Sequence, residues 1–189
     1  MPSSRQVELA SCGPSLPRSR TVRVRAEDGT RLHTEVFGPE DGYPIVLAHG
    51  ITCALRVWHE QINDLSQDFR VIAFDHRGHG RSGVPTRSGY SLQHLAGDLD
   101  AVLAATLRPG ERAVIAGHSM GGIAISSWAE RFRDRVEERA DAVALINTTT
   151  GDLLEEINLL RVPTLLAAGR TLAARRMIQA FGGAPLFRG

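Results

Sequence analysis

The chain of 189 residues has no lysine; all 22 of its basic side chains are arginine. That removes a P-loop lysine, a Schiff-base lysine and an amine base from consideration. A bias this complete fits the codon usage of a GC-rich genome better than it fits any chemistry. Cysteine is nearly as scarce. Cys12 and Cys53 cannot build a disulfide framework, and neither lies in a metal-like cluster. The default expectation is therefore a reducing, cytoplasmic setting. A net charge of +1, with no basic run interleaved with aromatics, argues against nucleic acid as a partner. No apolar stretch reaches the length of a membrane span, so no integral membrane segment is expected. What remains is an ordinary globular balance, 42% hydrophobic and 23% charged, and a length that points to one domain.

The first residues invite a misreading. Leu9-Ala10-Ser11-Cys12 looks like a lipoprotein cleavage box, but the segment before it is polar and carries Glu8, where a signal needs an apolar stretch. Residues 1–20, rich in Ser, Pro and Arg, read as a disordered tail.

From Thr21 the pattern changes. Thr21–Ala26 alternates like a half-buried strand, Asp28-Gly29 supplies a hairpin turn, and Leu32–Phe37 returns. Pro44–His49, Arg70–Asp75, Ala113–Gly117 and Ala142–Ile146 are short apolar runs, as expected of strands covered on both faces. Helical stretches lie between them: Trp58–Leu65, a long helix capped by Ser91 and stopped by Pro109-Gly110, and Gly121–Phe132. The expected fold class is α/β, with a mostly parallel, doubly wound sheet of about six strands and an N-terminal β-hairpin. After Thr150, Asp152–Leu160 and Leu165–Phe181 read as helical; an alternative makes Val162–Ala168 a seventh strand. The domain division expected is a tail over 1–20, a core over 21–150 and a further helical fragment over 151–189.

The strongest chemical signal is Gly117-His118-Ser119-Met120-Gly121, directly after a buried run and opening a helix. This G-x-S-x-G pattern is the nucleophile elbow, in which a sharp turn thrusts the Ser119 Oγ clear of the sheet. The Met120 amide, at the helix N-terminus, then points toward negative charge developing on a substrate oxygen. A second donor belongs just after the earlier strand that ends in His49-Gly50, where the Ile51 amide is the candidate and Gly50 lets the loop approach closely. The bland readings, a glycine-rich turn with a surface Ser and an ordinary turn after a His, lose ground when the two signals stand together.

A third signal is Asp75-His76-Arg77-Gly78-His79-Gly80-Arg81-Ser82. Together the three motifs, in this order and at these separations, resemble the α/β-hydrolase superfamily, closest to its esterase, lipase and cofactor-free peroxidase-like members. The resemblance covers about Thr21 to Thr150. It implies an incomplete α/β-hydrolase fold with the start of a helical lid after Thr150. It also implies a structural role for Asp75 and Arg77, carboxylic esters or lipid-like acyl groups as small-molecule substrates, and no cofactor or metal. Epoxide hydrolases and haloalkane dehalogenases use an Asp nucleophile where this chain has Ser119.

Other features carry less. Gly78–Gly83 matches G-x-G-x-x-G, but a dinucleotide site needs a helix to begin inside that loop, and here the helix starts only near Ser91. His33, His59 and His94 read as packing or surface residues, Trp58 and Trp128 as core, Cys53 as a small loop hydrophobe, and Glu130–Arg139 as a solvated helix end.

The chain also lacks part of the machinery that the resemblance implies. A serine nucleophile needs a base, and the base an orienting acid, in the order Ser, Asp or Glu, His. All seven histidines lie at or before His118. Asp152 is the one candidate acid, and no residue is a good candidate base. The chain reads as the N-terminal portion of a hydrolase, weak or inactive alone. Three explanations stay open: truncation, completion by another chain, or a non-catalytic fragment or interaction module. In each, Ala142–Ile146 is an unprotected sheet edge, open to self-association.

Overall fold

The computed structural model describes residues 15–85 and 89–149. Asp152, the helices expected beyond it and the start of the N-terminal segment lie outside the described residues. Six strands form one sheet in the order β1-β2-β4-β3-β5-β6. They are β1 (Ser19–Arg25), β2 (Arg31–Phe37), β3 (Pro44–Ala48), β4 (Arg70–Phe74), β5 (Ala113–His118) and β6 (Ala140–Ile146). β1, β2 and β4 pair antiparallel; β4, β3, β5 and β6 are parallel.

The hairpin forms as its sequence dictates. Gly29 has φ of +81°, the Asp28 carboxylate accepts the Thr30 N–H at 3.0 Å, and Ala26 donates to the Thr30 carbonyl at 2.9 Å. Pairing starts earlier than the alternation at Thr21 indicates: Ser19 and Arg20 lie opposite Phe37 and Val36. The expected boundary of the tail at residue 20 therefore falls inside β1.

Helices cover both faces. α2 (Leu92–Thr106) and α3 (Met120–Arg131) lie on one, sealing Val24, Leu32, Ile72, Phe74, Leu99, Val102, Ile115 and Trp128 into the larger core. The other core, around Phe37, Leu47, Val71 and Ala73, packs with Leu55, Trp58 and Ile62 from the region of α1 (His59–Leu65). Ser91 caps α2 as expected, its Oγ accepting the His94 N–H at 3.3 Å.

Two helical segments differ from the sequence reading. Trp58 does not open an α-helix but closes a 3-10 turn, Leu55–Trp58. That turn begins where the buried Asp75 carboxylate accepts the Leu55 N–H at 2.7 Å, a tertiary bond invisible to periodicity. At the other end, Phe132 (φ −122°, ψ 51°) breaks the helix, and Arg133–Arg139 forms a separate α4 with no buried residue. The solvated stretch is thus its own short helix, and β6 follows it immediately from Ala140.

The order of strands positions a site. The chain runs from β3 outward to β4 on one side, then crosses to β5 on the other. The loops leaving the carboxyl ends of β3 and β5 consequently diverge, which opens a crevice at that switch point. Gly50 and Ile51 follow β3, and Ser119 follows β5.

Candidate active site

Ser119 occupies φ 52°, ψ −115°, between β5 and the first residue of α3. A side-chain-bearing residue in the left-handed half of backbone space costs about 1–3 kcal/mol and persists only where its surroundings dictate it. Here they do. The Ser119 N–H donates to the Ile146 carbonyl at 3.0 Å. Its own carbonyl accepts from the Gly122 and Ile123 amides at 3.0 and 3.2 Å and from the Thr148 hydroxyl at 2.7 Å.

The neighbouring glycines are required by distance. A Cβ on Gly117 would stand 2.5 Å from the Gly121 backbone, one on Gly121 would stand 2.2 Å from the Ala48 carbonyl oxygen, and one on Gly122 would stand 2.4 Å from the Thr148 side chain. The turn is crowded against β3, α3 and the end of β6 at once. Only the first two constraints were legible in the G-x-S-x-G pattern.

The loop after β3 closes over this turn. A Cβ on Gly50 would lie 2.9 Å from His118 Nδ1 and 3.4 Å from the Ser119 Cβ, so glycine is what lets the backbone come so near. Gly50 to Cys53 is a tight turn, with Cys53 N–H donating to Gly50 O at 3.1 Å. Ile51 packs against Met120, Leu95 and Ala124, which brings two of the expected site residues side by side next to Ser119. Met120 is the first residue of α3, and an amide in a first helical turn has no carbonyl one turn earlier to bond.

Three histidines brace the loop rather than face the serine. His49 is fully buried, and its Nε2 accepts the His76 N–H at 3.0 Å. The ring proton therefore sits on Nδ1, 2.7 Å from the Gly50 carbonyl oxygen to which it is donated. Burial holds His49 neutral and depresses its pKa to about 3. His79 sits between the carbonyls of Arg77 and Ile51. His76 is buried edge-on to His49 and Phe74, both ring nitrogens lack a partner among the described residues, and burial pushes its pKa well down. Among the described residues, no histidine hydrogen-bonds the Ser119 Oγ. His33 pairs with Glu35 and His94 with Ser91, as packing residues do.

The loop 75–83 is a scaffold. Asp75 is buried, and burial raises its pKa while the Leu55 and Arg81 amides, at 2.7 and 2.8 Å, oppose that rise. Gly80 (φ +46°) wraps so tightly that a Cβ there would stand 2.3 Å from Asp75 Oδ2. The glycine-rich loop thus encloses its own carboxylate where a dinucleotide site would present amides to a pyrophosphate, and α2 starts only at Leu92. Arg77 reaches the other way, gripping the fully buried Asp98 through two nitrogens at 2.5 and 2.6 Å, Asp28 at 2.8 Å and the Gly89 carbonyl at 2.6 Å. Burial works against both charges; at Arg77 the hydrogen bonds and negative charges of Asp98 and Asp28 together outweigh it, and its pKa is raised. Asp98 lies on α2 among the buried Leu95, Leu99 and Val102, and those apolar neighbours are the one hint in the sequence that it faces inward.

Comparison with known proteins agrees with this fold. The chain matches the family model of the alpha/beta hydrolase fold over residues 43–176. It belongs to the alpha/beta hydrolase family. A non-heme chloroperoxidase of Streptomyces lividans is 38% identical over 109 residues, covering 57% of this chain and 38% of that protein. The crystal structure of esterase RhEst1 from Rhodococcus sp. ECU1013 superposes with a TM-score of 0.65 at 28% identity, over 90% of this chain and 69% of the esterase. Epoxide hydrolase VrEH1 from Vigna radiata gives 0.57 at 28%, over 68% of this chain and 37% of the hydrolase. The chain spans less than half the length of the curated relatives it matches. Among the described residues no helix is long and apolar enough to cross a membrane.

Proposed function

We propose that this alpha/beta hydrolase chain carries the nucleophile half of a serine hydrolase acting on carboxylic esters or lipid-like acyl groups. Ser119 attacks the acyl carbon, and the Ile51 and Met120 amides receive the oxyanion. Residues 21–150 form the catalytic core, and residues 151–189, with Asp152 as the candidate acid, begin a lid. The observation that carries this reading is the strained Ser119 backbone, held from three sides at the switch point of the sheet. Strain of this kind is retained where pre-organisation of a reacting group compensates for it. A cytoplasmic setting belongs to the same reading, and the free thiol of Cys53 supports it.

The reading also predicts weakness. With no histidine on the Ser119 Oγ among the described residues, deprotonation lacks a base, and oxyanion stabilisation with binding alone leaves a rate about 10³–10⁴ over water. A non-catalytic interaction module is the second reading, favoured by that same missing base and by the apolar β6 edge, through which self-association would run. A fluorophosphonate probe separates the two. Labelling that disappears in Ser119→Ala supports an activated hydroxyl; no labelling of the native chain supports the second reading. p-Nitrophenyl ester turnover unchanged in Ser119→Ala would exclude Ser119 as the nucleophile.

A further inference from the structure

We propose that the hollow between β1, β2 and the loop after β4 binds a small ligand carrying two or more phosphoryl groups. The cavity has a volume of about 900 Å³ and is lined by Arg23, Arg25, Arg31 and Arg81. It is separate from the elbow, and nothing in it depends on the hydrolytic reading.

The argument starts from a cost. Arg25 and Arg31 are direct cross-strand partners in the β1–β2 ladder, so their side chains leave the same face of the sheet. Like charges directly opposite one another destabilise a hairpin. Arg23, two residues along β1, opposite His33, points the same way. Arg81 comes from the loop after β4, and its carbonyl accepts from Arg31 at 3.2 Å. Arginines that guard a sheet edge against pairing need sit only on the edge strand. These converge on one concavity from three separate segments.

Of the four, only Arg81 meets a carboxylate within the hairpin. The hairpin has three carboxylates, and none of them pairs with Arg23, Arg25 or Arg31. Glu27 pairs with Arg131 and Asp28 with Arg77. Glu35 accepts from the Ser19 hydroxyl, contacts His33 and pairs with Arg81 at 3.5 Å. Arg25 and Arg31 have only neutral carbonyl partners, Gly29 O and Arg81 O, and among the described residues neither they nor Arg23 has a carboxylate within 4.0 Å. Three guanidinium forks with free donors, on a chain whose net charge is only +1, make a local demand for several negative charges. Phosphoryl oxygens match the planar fork geometry two at a time. The hollow has the volume of a small-molecule site, not of a groove for a polymer.

Calorimetric titration of the whole chain with inorganic pyrophosphate, against sulfate at equal ionic strength, tests the proposal. Saturable pyrophosphate binding at least about tenfold tighter than sulfate is expected, and the R25Q/R31Q double variant should weaken it by about tenfold or more. Arg133→Gln, on the solvent face of α4, should leave it unchanged. Without any anion, R31Q should melt no lower than the native chain, because it relieves the cross-strand repulsion. The proposal is overturned if pyrophosphate binds no better than sulfate, or if R133Q weakens it as much as the double variant. It is also overturned if R31Q alone lowers the melting temperature in the absence of anion, or if citrate, a short oligonucleotide or anionic vesicles bind more tightly than pyrophosphate.

Discussion

Among the described residues, the two edges of the sheet are built on opposite plans. β1 presents Arg20, Arg23 and Arg25 along seven residues, and its inward face is held by Val22 and Val24 against α2. β6 has a single charged residue, Asp141, near its start, and then exposes Val143, Leu145 and Ile146 at 44%, 42% and 38%. A row of charges resists addition of another strand, whereas an apolar row with unpaired backbone invites it. The anchoring differs as well. The hairpin that ends in β1 is tied into the interior by Arg77, whose guanidinium bridges Asp28 at the turn and Asp98 in α2. β6 is tied at its start by exposed groups, Arg112 to Asp141 at 2.9 Å and the Tyr43 hydroxyl to Asp141 at 2.6 Å. Among the described residues, one edge is finished with charge and the other is left apolar.

That contrast can be broken at several points. Arg77→Ala should have the largest effect, because it leaves the buried Asp98 charge without a partner. A loss of about 3–5 kcal/mol is expected in denaturant unfolding, and hydrogen exchange should show the β1–β2 hairpin opening first. A uniform loss across both edges would show that the anchor serves the whole sheet instead.

Acid acts on the centre. His49, at the end of β3, is neutral when folded, with a pKa near 3 against an ordinary value of 6.5. The unfolded chain binds the proton more readily, so the stability is fully present above pH 6.5 and is lost as pH falls toward 3. By pH 5 the loss from this one residue is about 2 kcal/mol, and His76, shifted in the same direction, adds to it. Because both residues lie between the edges, the two edges should lose exchange protection together. A stability that is flat from pH 7 to pH 5 would contradict the buried neutral assignment.

The remaining tests sharpen the β6 side. The paired substitution Val143→Lys and Leu145→Lys gives that edge the charge it lacks. Any self-association seen by sedimentation should weaken by about tenfold or more, with little change in the melting temperature. The smallest effect belongs to Arg112→Ala. Its ion pair with Asp141 is about half exposed, so a change within about 1 kcal/mol is expected by thermal unfolding.

The sheet was legible because its strands are short apolar runs with turn residues between them, and because buried parallel strands tolerate little else. The Asp28-Gly29 turn, the Ser91 cap and the crowding at Gly117 and Gly121 were legible for the same reason: each is a local steric or hydrogen-bonding rule. What sequence could not supply were bonds between distant segments. Asp75 starts the 3-10 turn at Leu55, Asp98 meets Arg77, and Thr148 holds the Ser119 carbonyl; each joins residues at least 20 positions apart. His49 illustrates the middle case. Its place at the end of a strand was readable, but its tautomer follows from the His76 amide beneath it.

The attachments of Ser119 to the last described strand reach further than packing. Its amide hangs on Ile146 and its carbonyl on Thr148, while Asn147 between them is itself in the left-handed region at φ 45°. The pose of the alcohol is therefore slaved to whatever occupies the far border of the sheet. Fraying of that border would release both attachments at once and let the bend relax.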